Sequence, residues 1–213
     1  RSCEVESGVD DVSDPGSDSR EEWGGSEDTS SAGEPGEILC SGIEIFRNNF
    51  DDDSFGVYAD VADWNDPVWA NGLDEGRAEI VEDRQIEANR FLRIHYPEGG
   101  FGPQASGAQW KASLRGSHEE LYLSYRVRFG EGFEFVRGGK LPGLIGGTAP
   151  TGCREDQNGF SARGMWRAQG TSYQYVYWPG KPERCGDNYM YELESEPFVF
   201  EPGIWHRIEH HIK

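Results

Sequence analysis

Between positions 140 and 177 the chain sets out a lysine, a serine, an arginine and several tyrosines whose types and spacing could do chemistry. Lys140 is a single cation inside GGKLPGLIGG (138–147), where glycines let a backbone approach a ligand closely. This is not a phosphate loop, because G-x-x-x-x-G-K-[ST] is absent and Pro142 with its flanking glycines opposes a following helix. In FSARGMW (160–166), Ser161, Arg163 and Met165 alternate onto one face of a strand. In YQYVYW (173–178), Tyr173, Tyr175 and Tyr177 do the same. A turn-prone segment, Ala168 to Thr171, joins the two, so an antiparallel pairing would bring Arg163 and the tyrosines onto one surface. Such a set would bind an anion, stack on a sugar and move a proton. Spacing alone leaves a second arrangement equally open, with core tyrosines, Arg163 as a rim charge and Lys140 pointing to water from a turn.

The elements that must position these residues read as short strands with turns between them. RFLRIHY (90–96) stops at Pro97 and a glycine-rich stretch, 98–107. LYLSYRVRF (121–129) alternates, with Leu121, Leu123, Tyr125, Val127 and Phe129 on one face and Tyr122, Ser124, Arg126 and Arg128 on the other. Arg126 and Arg128 are candidate subsite cations or surface charges, and Gln109, beside Trp110 and Lys111, is a candidate sugar contact. Strands at 198–200 and 204–212 complete the set, and 71–87 is the single stretch with helical periodicity. Aromatic alternation without a βαβ rhythm predicts an all-β sandwich or jelly roll.

Charge is unevenly spread. Lys and Arg total 20 and Asp and Glu total 39, for a net charge of −19. So acidic a protein is no general nucleic-acid binder, since phosphate affinity needs clustered cations. No apolar run approaches the roughly 18 to 20 residues of a membrane-spanning helix. Residues 1–40, with twelve acids, two bases and abundant Ser and Gly, read as a disordered acidic linker, leaving 41–213 as the folded domain. Residues 111–184 reverse the sign, with seven acids and eleven bases, a hint of an anionic ligand.

Four cysteines stand at 3, 40, 153 and 185. Cys153 and Cys185 both sit in loop-like contexts and are the expected disulfide; a Cys3–Cys40 bridge is the weaker possibility. With no CxxC and no cysteine pair near His210 and His211, a zinc site is not expected. A disulfide and an acidic Ser/Gly linker fit an exported protein. Arg1 is followed by no signal-peptide core, so the chain reads as a processed or excerpted piece, and its strand-like end at Lys213 predicts that further strands follow. Carboxylates at Asp51, Asp52, Asp53, Glu119 and Glu120 offer no pair at a glycosidase separation; His95 reads as a core or cleft residue, with a catalytic role as the alternative, and His206, His210 and His211 as ordinary strand residues.

GKLPGL (139–144), followed by GFSARGMWR (159–167) and YVY (175–177), resembles polysaccharide lyase family 14, which includes alginate and glucuronan lyases. YPEG from Tyr96, SYRVRF from Ser124 and GIWH from Gly203 extend the resemblance over roughly 43–213. The resemblance implies a β-jelly roll of two antiparallel sheets with a concave substrate cleft. It also implies active-site roles for Lys140, Ser161, Arg163, Tyr175 and Tyr177, with Tyr173 leaving the tyrosine pair ambiguous. Gly164 departs from the family pattern, which carries a larger apolar residue there.

The expected activity is β-elimination on a uronate polymer by a secreted, cofactor-free monomer. Arg163 and Ser161 would bind the carboxylate, and the tyrosines with Lys140 would act as base and acid. The alternatives are a non-catalytic carbohydrate-binding module of the same fold, or a structural exported domain.

Overall fold

The computed structural model describes residues 42–65, 67, 69–83, 89–154 and 156–213; the acidic segment 1–40, with Cys3 and Cys40, lies outside the described residues. What is described divides into two compact units, one within Ser41–Ser117 and the other His118–Lys213.

In the first unit, β1 (Gly56–Val57), β3 (Ala78–Glu82) and β4 (Arg90–Ile94) form an antiparallel sheet, and β2 (Ala70–Asn71) pairs with β5 (Gln109–Trp110). Alternation along β3 turns Ala78 and Ile80 inward onto Tyr58 and Leu73, with Trp64, Leu92 and Trp110 packed around them. Over 71–83, the described part of the stretch with helical periodicity, no helix forms; 84–87 lie outside the described residues. Gly72 and Gly76 take positive φ (87° and 66°) and make a turn, after which the β-branched Ile80 and Val81 extend as a strand. Buried Arg77 keeps its charge satisfied by donating to the carbonyls of Pro103, Gln104 and Gly107 at 3.0, 3.3 and 2.8 Å.

In the second unit, β7 (Gly138–Gly147), β8 (Gly159–Arg167), β9 (Ser172–Tyr177) and β10 (Asp187–Met190) form an antiparallel sheet in the order β10-β9-β8-β7. A second sheet pairs β6 (Leu121–Arg128) with β13 (Trp205–Ile212), and β11 (Glu192–Leu193) with β12 (Glu196–Pro197) makes a small hairpin. The strand expected at 198–200 is reduced to one bridge, Thr171 to Val199.

The core of this unit lies between the two larger sheets. Phe129, Trp166, Phe200 and Ile208 are buried there, with Tyr125, Val127 and Leu141 against them. Each such large apolar side chain contributes roughly 1.5–3 kcal/mol by leaving water. Trp166 thus marks the inward face of β8, and the residues alternating with it, Ser161, Arg163 and Met165, occupy the opposite face.

One polar group is enclosed with the apolar ones. His210 on β13 is buried; Gln174 Nε2 donates to its Nδ1 at 3.1 Å, and the Tyr191 hydroxyl donates to Gln174 Oε1. Its Nε2 is buried without a partner, and burial pulls its pKa down to about 4. Between pH 6.5 and about 4 the unfolded chain therefore takes up a proton that the folded one refuses, and stability falls as pH drops through that window. Unfolding free energies measured against pH should show a loss of up to roughly 3 kcal/mol in the parent that His210→Gln lacks. Identical pH dependence in the two would contradict the assignment.

Candidate active site

Strand register assembles the site. Arg163 lies directly opposite Tyr175, Ser161 opposite Tyr177, and Met165 opposite Tyr173 on one side and Lys140 on the other. Residues directly opposite in a sheet share a face, so all seven are on the face turned away from the core. The short connection at Ala168–Gly170 makes the β8–β9 pairing local, as the sequence reading expects.

GGKLPGLIGG is a strand and not the loop that its glycines imply. It is tolerated because β7 is an edge strand and Pro142, which has no N–H to donate, falls in the bulge between Lys140 and Gly143.

Electrostatics on this face are dominated by cations brought close together. Lys140 Nζ donates to Met165 Sδ at 3.1 Å and lies 4.3 Å from the centre of the Tyr175 ring. Burial, then the neighbouring charges of Arg163 and Arg167, pull its pKa down to about 8. Burial likewise lowers Arg163, opposed by Tyr177 and Tyr175, and Arg163 Nε is buried with no hydrogen-bond partner. Among the described residues no carboxylate forms an ion pair with Lys140 or Arg163.

The two phenols form one unit. Tyr175 Oη and Tyr177 Oη are 3.2 Å apart, with the rings edge to face. The backbone N–H of Cys153 donates to Tyr177 Oη at 2.9 Å and that of Gly186 to Tyr175 Oη at 3.1 Å. Burial pushes Tyr177 up, but the hydrogen bond from Tyr175, the two amides and Arg163 outweigh it and leave Tyr177 below an ordinary phenol. Tyr175 is raised, first by burial and then by its bond to Tyr177. The two phenols titrate as one coupled pair, and a negative charge on it is held by the amides and Arg163.

Ser161 is fully buried and donates to the Pro150 carbonyl at 2.8 Å, so its hydroxyl anchors the loop before Cys153. Tyr173 is partly buried against Met165, Tyr175 and Tyr177. Arg126 and Arg128 are not brought to this face. They alternate with the inward Tyr125 and Val127, which puts them on the outer face of the β6–β13 sheet, where Arg128 lies 4.7 Å over the Trp205 ring. Gln109 is exposed in the other unit, opposite Asn71. The Cys153–Cys185 disulfide is present. Met165, Arg167 and the amides of Cys153 and Gly186 are site components beyond the sequence-derived set; the alternation of 161–167 carries the signal for Met165 and Arg167, and none exists for the amides.

The family model for polysaccharide lyase 14 matches residues 84–213, more than half of the chain. The chain belongs to polysaccharide lyase family 14. Three solved structures share its fold. Alginate lyase Aly36B is 23% identical with a TM-score of 0.59, covering 78% of this chain and 66% of its own. The marine alginate lyase from Aplysia kurodai is 24% identical with a TM-score of 0.59, covering 74% and 68%. Alginate lyase vAL-1 from Chlorella virus is 22% identical with a TM-score of 0.51, covering 68% and 70%. The chain thus spans about two thirds of the length of these proteins. Double variants of Aly36B have been solved with an alginate trisaccharide and a tetrasaccharide. No curated protein sequence matches the chain. The all-β architecture with its antiparallel sheets is the family's β-jelly roll, as the sequence resemblance implies.

Glycine at position 164 of this family 14 chain has a physical reason. A Cβ there would lie 2.7 Å from the Tyr125 hydroxyl and 3.1 Å from Leu141 Cβ. Tyr125 reaches from the β6–β13 sheet past this gap and donates to the Pro142 carbonyl at 3.3 Å, bracing the bulge beside Lys140. In Gly164→Ala an overpacking penalty of about 1–3 kcal/mol should outweigh the 0.4–1 kcal/mol or so gained by restricting the unfolded chain. Denaturant unfolding should show net destabilisation in the parent and a smaller penalty in a Tyr125→Phe background; an equal penalty in both would mean that the hydroxyl does not need the gap.

Proposed function

We propose that the protein is a polysaccharide lyase that cleaves uronate-containing polymers, alginate or glucuronan, by β-elimination. The observation that carries this is the convergence of Lys140, Arg163 and the tyrosine pair on one sheet face, with an Arg163 nitrogen buried and unpartnered. The alginate oligosaccharides held by Aly36B variants support the substrate class.

The reaction needs three things, and each falls to a residue on that face. The proton at C5 of a uronate is acidic enough to remove only when the C6 carboxylate is neutralised, because charge from the breaking C–H bond must spread into it. Arg163 supplies this through a guanidinium that matches a carboxylate in geometry. The tyrosine pair accepts the C5 proton through its phenolate, which Arg163 and the two amides stabilise. The C5–H electrons become the C4–C5 double bond as the C4–O4 bond breaks, and Lys140 gives its proton to the departing O4. Burial beside two other cations makes Lys140 a better acid than an ordinary lysine. Ser161 serves by holding the Pro150 loop, and Met165 by accepting from and aiming Lys140.

The active form carries a phenolate and an ammonium together. Activity should climb as pH rises toward about 8, while phenolate accumulates and Lys140 keeps its charge, and should fall once the pair is fully ionised and Lys140 is neutral. Incubation with polymannuronate, polyguluronate or polyglucuronate should raise the ultraviolet absorbance of unsaturated uronate. Lys140→Ala should lose roughly 10²–10⁴-fold in kcat on polymer, and far less on a uronoside whose C4 substituent is an aryloxy group that leaves without a proton. Equal losses on both substrates would remove Lys140 from the acid role. Binding of the polymers with no rise in absorbance would instead make the protein a carbohydrate-binding module.

A further inference from the structure

Two loops flank the tyrosine pair, and one covalent bond joins them. The β7–β8 connection carries Cys153, the β9–β10 connection carries Cys185, and the two are disulfide-bonded. Each loop delivers one backbone N–H to the phenols: Cys153 to Tyr177 Oη at 2.9 Å, and Gly186, next to Cys185, to Tyr175 Oη at 3.1 Å. The first loop is anchored by Ser161 on the Pro150 carbonyl and bends through Gly152 and Cys153, both at positive φ (66° and 60°), which is uncommon for a residue bearing a Cβ. The second is tied by Lys181 Nζ, which donates to the carbonyls of Glu183 and, at 2.7 Å, Arg184, and by Trp178 Nε1, which donates to Asp187 at 2.6 Å. Gly186 is where backbone meets rings: a Cβ would lie 2.8 Å from the Tyr177 ring and 2.9 Å from that of Tyr175.

We infer that the Cys153–Cys185 bridge and Gly186 are positioning elements for the base: they clamp two backbone amides onto the tyrosine pair, and opening the clamp leaves less of the pair ionised and ready to take a proton. The charged groups facing the pair are Arg163 from β8, Lys140 from β7 at 4.3 Å from the Tyr175 ring, and Lys181 at 5.4 Å from the Tyr177 ring. All three also serve other partners or the substrate. The amides differ in being fixed dipoles without a titration of their own, and they need no reorganisation when charge appears on the phenol oxygens. The arrangement is an oxyanion hole turned on the protein's own side chains. It rests on the reading of the pair as base, but its test does not depend on turnover.

The experiment is a titration of phenolate ultraviolet absorbance on the full chain, in the parent, in Cys153→Ser/Cys185→Ser and in Gly186→Ala, with Tyr177→Phe identifying the signal. The parent should show one phenol ionising below the ordinary range, absent in Tyr177→Phe. Both clamp variants should move that ionisation up by at least one pH unit, so that about tenfold less phenolate is present at a given lower pH. In turnover, their kcat should fall in step below the shifted ionisation and recover above it, while KM changes little. If the bridge-free variant loses its near-ultraviolet circular dichroism, Gly186→Ala, which keeps the disulfide, decides. An unshifted Tyr177 ionisation in a folded clamp variant overturns the inference. A shifted ionisation in a protein inactive on every uronate polymer leaves the clamp standing and overturns the lyase reading instead.

Discussion

Like charges gathered on one half-buried sheet face are the constraint on which the rest of this unit depends. Burial and the charges of Arg163 and Arg167 raise the cost of charging Lys140, burial raises that of Arg163, and no carboxylate among the described residues pairs with either. An anionic sugar relieves that cost, and so does a phenolate. On the proposed function, the same electrostatic deficit would draw in the substrate's carboxylate and prepare the tyrosine pair to take a proton. Neutralising the face with an acidic side chain would help folding and remove both effects.

The sheet keeps this face in place through its other side. Alternation along β8 sends Trp166 into the aromatic core and Arg163 out to the site, so every core contact of the strand also fixes the arginine. Tyr125 passes the Gly164 gap to brace the bulge that aims Lys140, and the disulfide-linked loops close over the phenols. Rigid β-structure thus sets the position of the cations, while irregular backbone supplies the amides.

How much of this was legible in the sequence follows from its range. Alternation and a short turn are local, so the opposition of Arg163 to Tyr175 could be read from spacing. The disulfide could be read because few cysteines were available. Other features depend on neighbours distant in sequence. GGKLPGLIGG looks like a loop until β8 pairs with it, and that the Ser161 hydroxyl donates to the Pro150 carbonyl shows only once the β7–β8 connection is in place. Arg126 and Arg128 alternate like cleft residues, but the side of β6 that meets the core is chosen by Trp166 and Phe200, far along the chain. The stretch 71–87 has helical spacing, and the turn at Gly72 and Gly76 overrides it. Backbone amides carry no sequence signal at all, which is why the two amides that donate to the tyrosines emerge only in the folded chain.

The proposed lyase grips one acidic sugar unit on the face built from β7, β8 and β9. A crystal structure of the Lys140→Ala variant with a uronate oligosaccharide tests it most directly. In that complex a C6 carboxylate should lie within hydrogen-bonding distance of Arg163, about 2.7–3.2 Å, with the C5 hydrogen directed at the tyrosine pair. A sugar seated instead over the outer face at Arg126 and Arg128, with Arg163 untouched, would contradict it.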